Sequence, residues 1–307
     1  MQVRKAGGIS GRVCRKQFEQ ITKDMRLVAG SQSTEIPFDE RISAEKTASD
    51  PNILSRDPNF MTSLARGIAV IGSFSSDRRN QTIAQISRKT GIPRSAVRRC
   101  LHTLARLGYV HSDARTFYLR PKILELGHAY LSSTPLGTMA QSFLDRVSAV
   151  IQESCSLAVL DGDEVFYVGR SAKSLRIMSV DLHVGSRLPA YCTSMGRVLL
   201  AHLPECAFED YLSRIQLRAF SRKTIVLRSR LREAVEKARG DGFAVVNQEL
   251  ELGLCSIAVP VRDRSGEVVA AMNVSAQAAR VSARNMRTHF LGHLQAAASE
   301  LGLLLRP

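Results

Sequence analysis

The stretch Thr82–Gly108, TIAQISRKTGIPRSAVRRCLHTLARLG, constrains this chain more than any other. Two short apolar-periodic segments flank Thr90-Gly91. In the first, Ile83, Ala84, Ile86 and Ser87 recur at helical spacing, with Thr82 placed as its cap. In the second, Val97, Cys100, Leu101, Leu104 and Leu107 share one face, while Arg94, Ser95, Arg98, Arg99 and His102 share the other. Pro93 suits the first turn of that second helix, where a missing N–H costs nothing. A short helix, a glycine turn and a helix with one apolar and one Arg-rich face form the pattern of a helix-turn-helix. A helical hairpin with a solvated basic face would carry the same residues, so the neighbouring segments decide.

Those neighbours complete a module. Tyr109–Val110 and Thr116–Leu119 read as strands about the polar turn Ser112–Arg115, a wing that brings Arg115 toward a phosphate backbone. Upstream, Thr62-Ser63 precede Leu64, Ile68, Ile71 and Phe74, a first helix with a hydroxyl cap. Between Thr62 and Ser132 stand 12 Lys/Arg against 3 Asp/Glu, the surplus expected of a duplex-binding surface. Residues 61–120 are therefore expected to fold as a winged helix-turn-helix. Thr82 and Gln85 are expected to anchor its first helix to phosphate.

A chain of 307 residues has room for a second core, and a formal charge of +15 asks for an anionic partner. No apolar run is long enough for a membrane helix. The six cysteines show neither CxxC nor zinc spacing. Neither metal nor cofactor is expected, and the thiols read as small buried hydrophobes in a reducing cytoplasm. Residues 1–60 are expected to be a disordered basic extension, interrupted by Gly and Pro. An organellar targeting sequence is the other reading of so Arg-rich a start. Residues 121–135 are expected to form a linker helix, ended by Pro135, whose apolar stripe (Ile123, Leu124, Leu126, Leu131) suits a second subunit.

From residue 136 to 307 the pattern is α+β: an antiparallel sheet with flanking helices. Met139, Phe143, Val147 and Val150-Ile151 mark an amphipathic helix. Strands are expected at Ser156–Leu160, Glu164–Arg170, Arg176–Val180, Phe243–Asn247, Cys255–Val261 and Val268–Ser275. Asp161-Gly162-Asp163 and Asp263–Gly266 read as hairpin turns, the first pair of carboxylates as turn residues rather than metal ligands. Helices are expected at Leu227–Arg239 and Val281–Leu305, and a third begins near Thr193 or Ser194. Around Ser194-Met195-Gly196 that third helix offers free N–H groups, a ready site for a carboxylate. An ordinary capped helix, with Gly196 making room for a neighbour, is the plainer account of the same residues. Polar Asn247, Gln248, Glu249, Asn273 and Ser275 stand in or beside otherwise apolar strands and need partners when buried.

Taken together, GSRLPAYCTSMGRVLLA, ELELGLCSIAVPVRDRSGEVVAAMNVS and the winged module resemble the IclR family of bacterial transcription regulators. The likeness runs from about Phe60 to the C-terminus. RRCLHTLARLGYV and LRPKILELGHAYLSS are similar to the PcaR, PcaU and PobR branch, which governs catabolism of aromatic acids through the β-ketoadipate pathway. The resemblance implies a GAF/PAS-like effector domain, a homodimer or dimer of dimers, and a pseudo-palindromic DNA operator. It also implies a small organic acid as effector, and activation of transcription with RNA polymerase as a further partner. Carried across, the effector pocket comprises Ser194, Met195 and Gly196, with Asn247, Gln248 and Glu249, and with Ser256, Asn273 and Ser275. Asn247-Gln248 and Cys255 depart from the acidic and polar residues usual in the family, which points toward a more anionic ligand. Protocatechuate, 4-hydroxybenzoate and β-ketoadipate all stay eligible.

The alternative is a small-acid-processing enzyme with a basic accessory domain. Ser194 lacks the GxSxG setting of a nucleophile elbow, and the chain has neither a GxxxxGK[ST] loop nor HExxH. A ligand-responsive, DNA-binding regulator without catalytic residues is the expected function.

Overall fold

A computed structural model describes residues 59–75, 78–133, 136–172 and 182–305, with the backbone alone for 129–133. The expected extension 1–60 falls almost wholly outside the described residues, as do the strand expected at Arg176–Val180 and the helix stop at Pro135.

Three helices and a hairpin make the first module: α1 (Thr62–Gly72), α2 (Ile83–Thr90), α3 (Arg94–Arg106), β1 (Val110–Asp113) and β2 (Thr116–Leu119). α2 starts with a capping box. Thr82 Oγ1 accepts from Gln85 N–H at 3.3 Å, and Gln85 Oε1 accepts from Thr82 N–H at 2.8 Å. It ends at Gly91, whose φ of 71° is left-handed and open only to glycine without strain. Val97, Leu101 and Leu104 of α3 meet Val70, Ile86, Ile92 and Val110 in one small core. Leu107, expected on that face, follows the helix end and is 53% exposed.

The start of α1 corrects the sequence reading. Met61 is its N-cap, and no hydroxyl caps it. Leu64 and Ile68, two of the apolar residues that mark this helix in the sequence, are exposed, and Val70 is buried. The hairpin turns more tightly than expected, at Ala114-Arg115 alone, with Asp113 facing Thr116. Gln81 ties the module together. Its backbone exchanges two hydrogen bonds with Phe117 of β2, and its buried side chain donates to the Ser73 carbonyl beyond α1 at 2.9 Å.

Pro121–Ile123 forms a 3-10 turn leading into α4 (Leu124–Ser133), and α5 (Leu136–Ile151) opens the second domain. Its strands are β3 (Ser154–Asp161), β4 (Glu164–Ser171), β5 (Arg187–Pro189), β6 (Ala244–Asn247), β7 (Leu254–Arg262) and β8 (Val268–Gln277). They form one antiparallel sheet in the order β5-β4-β3-β8-β7-β6. The helices between are α6 (Ser194–Ala201), α7 (Glu205–Arg214) and α8 (Arg228–Asp241), and α9 (Leu291–Gly302) closes the chain. No sequence signal had marked α7, whose buried residues are only Phe208, Tyr211 and Leu212. The long C-terminal helix is broken too. Ser282 caps a short helical turn, and a π-helical turn at Met286–Phe290 precedes α9.

Strand alternation separates the two faces of this sheet. Cys155, Leu157, Cys255, Ile257, Val259, Met272, Val274 and Ala276 pack with α5 and α9 in the main core. The intervening residues face α6. Asp161 and Asp163, read as turn residues, stand at the β3–β4 hairpin and pair with Arg187 and Arg214.

Candidate functional site

The face of the sheet toward α6 is unusually polar for a buried surface. In the register, Ser154 and Ser256 both oppose Ser275, and Ser156 opposes Asn273. Ser156, Ser256 and Asn273 are all buried. Asn273 Nδ2 donates to Ser275 Oγ at 3.2 Å, which leaves its Oδ1 buried without a partner. Arg170 of β4 reaches the same row, its Nη1 donating to Ser156 Oγ at 3.0 Å.

Opposite this row begins α6. Thr193 is the N-cap, accepting from Gly196 N–H at 3.2 Å, so the choice between Thr193 and Ser194 falls to Thr193. Ser194 follows, 1% exposed, with its hydroxyl unpartnered. The first N–H groups of a helix have no carbonyl within it to serve and carry its positive dipole end. Gly196 is required by packing. A Cβ there would lie 2.1 Å from the Ala190 carbonyl oxygen, because the chain doubles back tightly through Ala190–Cys192.

A third wall is the segment after β6. Glu249 is buried and fixed on all sides. Its carboxylate accepts from Arg197 Nη1 at 2.8 Å and from Nη2 at 2.5 Å, and its carbonyl accepts from Thr224 Oγ1 at 2.6 Å. Arg197 also donates to the Tyr191 carbonyl, so the guanidinium locks α6 to the Glu249 segment. A planar fork against a carboxylate is the geometry in which a buried pair holds best.

These walls enclose a cavity of about 20 Å³, lined by Ser194, Glu249, Ser256, Asn273 and Ser275 among the residues expected from the sequence. Tyr167, Cys192 and Thr193 also line it, with Leu188, Val246, Leu250 and Leu254 as its apolar part. Burial pushes the Tyr167 hydroxyl far above its ordinary range, so it stays protonated. The other four expected residues stand off the lining. Met195 is fully buried, Gly196 serves the close approach to Ala190, Asn247 is exposed, and Gln248 bends the loop at a φ of 63°. Gln248 Oε1 accepts from Gly253 N–H at 3.0 Å, which fixes that bend. Cys255 points into the opposite core, so neither it nor Asn247 sets the polarity of the cavity.

Reading strands singly did not reveal Tyr167, Arg170 or the Arg197–Glu249 pair. Tyr167 and Arg170 had a local signal, in the polar residues of the Glu164–Arg170 strand. Arg197 and Glu249 are far apart in the chain, and nothing local announces their meeting. Among the described residues, no group of three or more His, Cys, Asp or Glu is placed to hold a metal ion, and no helix is long and apolar enough to cross a membrane.

The winged module offers a second functional surface. Arg94, Ser95, Arg98, Arg99 and His102 are all exposed on α3, opposite its buried face, and Arg115 is exposed at the tip of the wing. Thr82 and Gln85 sit at the start of α2, where their side chains are occupied by the capping box.

Comparison with known proteins matches both halves. Residues 63–114 match the IclR helix-turn-helix domain, and residues 128–303 match the C-terminal domain described as Bacterial transcriptional regulator IclR C-terminal. The chain is 54% identical over 245 residues to the Pca regulon regulatory protein of Pseudomonas putida, covering 80% of this chain and 84% of that one. It is 35% identical over 250 residues to the p-hydroxybenzoate hydroxylase transcriptional activator of Acinetobacter baylyi, covering 80% and 92%. Among solved structures, an IclR homologue from Microbacterium hydrocarbonoxydans complexed with 4-hydroxybenzoate is similar, with a TM-score of 0.69 and 27% identity over 78% of this chain and 97% of that one.

Proposed function

The chain belongs to the IclR family of bacterial transcriptional regulators, and on that premise we propose that it switches aromatic-acid catabolic genes of the β-ketoadipate pathway in response to a small organic acid. It is a regulator, not an enzyme, as are the relatives it matches. The observation that carries the effector half is the unpartnered Ser194 hydroxyl and Asn273 Oδ1 in one buried cavity at a helix start. Buried polar atoms without partners are costly, and a polar ligand supplies what they lack.

In this reading the acid's carboxylate lies at the N-terminus of α6 beside Ser194, with Ser256, Asn273 and Ser275 along its length and Glu249 closing the far wall. Met195 and Gly196 hold the helix start in position, while Asn247 and Gln248 shape the loop that carries Glu249. A cavity of about 20 Å³ holds one water molecule. Admitting an aromatic acid therefore moves a wall, and the acid acts by its differential affinity for the two arrangements.

On the DNA side, Arg94, Ser95, Arg98, Arg99 and His102 enter the major groove, Arg115 follows the backbone from the wing, and Thr82 and Gln85 present the start of α2 to a phosphate. The exposed Leu64 and Ile68 of α1, with Leu124 and Leu126 of α4, suit a homodimer that reads a pseudo-palindrome. The protein works in the cytoplasm as an activator, through contact with RNA polymerase.

The test is a thermal-shift screen against protocatechuate, 4-hydroxybenzoate and β-ketoadipate, repeated on Ser194→Leu. A ligand that binds only the folded protein raises its melting temperature by mass action. A rise for one acid that disappears in the variant supports both the pathway and the cavity. No rise for any acid overturns the pathway assignment.

A further inference from the structure

A second depression on the effector domain belongs to neither site. It lies between α8, the outer edge of β6 and the turn that precedes α9, and it measures about 380 Å³. Ala234, Val245 and Ala283 contribute its open apolar surface above the buried Phe243 and Ala244, and β6 is the edge strand of the sheet. Three cations stand around it: Lys237, Arg284 and Arg287. Lys237 lies 2.9 Å from Asp241, the one acidic residue of the lining. Arg284 and Arg287 have no ion pair among the described residues, and the Arg287 guanidinium lies 5.4 Å from the Phe243 ring centre. Arg197, its side chain 5% exposed, reaches the same depression from the interior.

The size falls in the range of small-molecule sites, which are largely apolar with a few convergent polar groups. Two unpaired guanidiniums beside an apolar floor ask for a ligand with an anionic head and an apolar body. We infer that this groove is a second binding site, for an amphipathic organic anion with a carboxylate, sulfonate or phosphate head. The head lies between Arg284 and Arg287, and the body lies along Ala234, Val245 and Ala283.

The position of Arg197 gives such a site a consequence. Arg197 lines the groove, while its partner Glu249 lines the effector cavity. An anion in the groove draws on the guanidinium that holds the Glu249 wall, so occupancy of one site alters affinity at the other, reciprocally. That coupling rests on the effector reading above, whereas occupancy of the groove does not.

The experiment is a fluorescence titration of the full chain with 1-anilinonaphthalene-8-sulfonate, an aromatic sulfonate, at low salt. Wild type, Ser194→Leu, Arg284→Gln/Arg287→Gln and Ala234→Trp are compared, each with its melting temperature measured without dye. The expected result is saturable one-to-one binding to wild type that persists in Ser194→Leu. Binding is expected to weaken at least about tenfold in the arginine double variant and in Ala234→Trp, which fills the groove without altering its charge. Equal affinity in the double variant, no saturable binding to wild type, or loss in Ser194→Leu alone would each overturn the site. The last result would put the dye in the effector cavity and leave the effector reading standing.

Discussion

The two folded parts of this protein use polar residues in opposite ways. The winged module builds its core from seven apolar residues, Val70 to Val110, with only Ser73 and Gln81 as buried polar residues among those described, and carries its arginines on the outside of α3. The effector domain has a larger apolar core on one face of its sheet and buries its polar chemistry on the other. A surface that grips a polyanion needs solvated, mobile cations and little precise support. A cavity that discriminates among small acids needs buried groups whose positions are fixed by other buried groups. A functional substitution in the first part should therefore spare the fold, and one in the second should strain it.

The largest expected break in that contrast comes from Glu249→Ala. Removing one partner strands the Arg197 guanidinium in the interior, at a cost of about 3–5 kcal/mol by urea denaturation. A cost below about 1 kcal/mol would mean that water reaches the pair and that the cavity wall is held by something else. Next comes Leu101→Ala in the winged module, with an expected loss of about 2–4 kcal/mol and of DNA binding. Arg98→Ala sharpens the comparison from the other side. Its melting curve should match wild type, while affinity for DNA selected from a random pool falls by about 1–3 kcal/mol. A stability loss comparable to Leu101→Ala would end the idea that the arginine face is dispensable to the fold.

The smallest expected effect is a pH dependence. His202 ends α6, its Nδ1 bonded to the Val198 carbonyl and its Nε2 facing Arg262. Burial first, then the charges of Arg262 and Arg239, hold its proton affinity below the ordinary imidazole value of 6.5. The unfolded chain thus binds that proton more readily than the folded one. Stability from this group is present above pH 6.5 and is lost as pH falls through the lower folded value. His202→Gln should flatten the decline in melting temperature between about pH 7 and pH 5; an unchanged slope would assign the decline elsewhere.

Much of the fold was legible because its evidence is local. The helix-turn-helix lies within one short stretch, and the period of Val97, Leu101 and Leu104 names its buried face. The same periodicity does not name a buried face at α1, where Leu64 and Ile68 are apolar yet exposed. A stripe meant for a partner and a stripe meant for the core look alike along a chain. In the effector domain, Ser194, Glu249, Ser256, Asn273 and Ser275 line one cavity, while Met195, Gly196, Asn247 and Gln248 do not. The Arg197–Glu249 lock and the part played by Gln81 were not legible, because each depends on residues that meet only after folding. Gly196 sat between two accounts. The packing account explains the glycine, while its neighbour Ser194 takes the cavity.

The alternation of β7 and β8 has a consequence for how such a sensor changes over time. Cys255, Ile257, Val274 and Ala276 hold the sheet to its helices, while Ser256 and Ser275 between them look the other way. The same strands thus transmit two messages that can be rewritten separately. On the proposed effector assignment, a lineage would retune what it senses by single substitutions on one side while the scaffold stays untouched on the other.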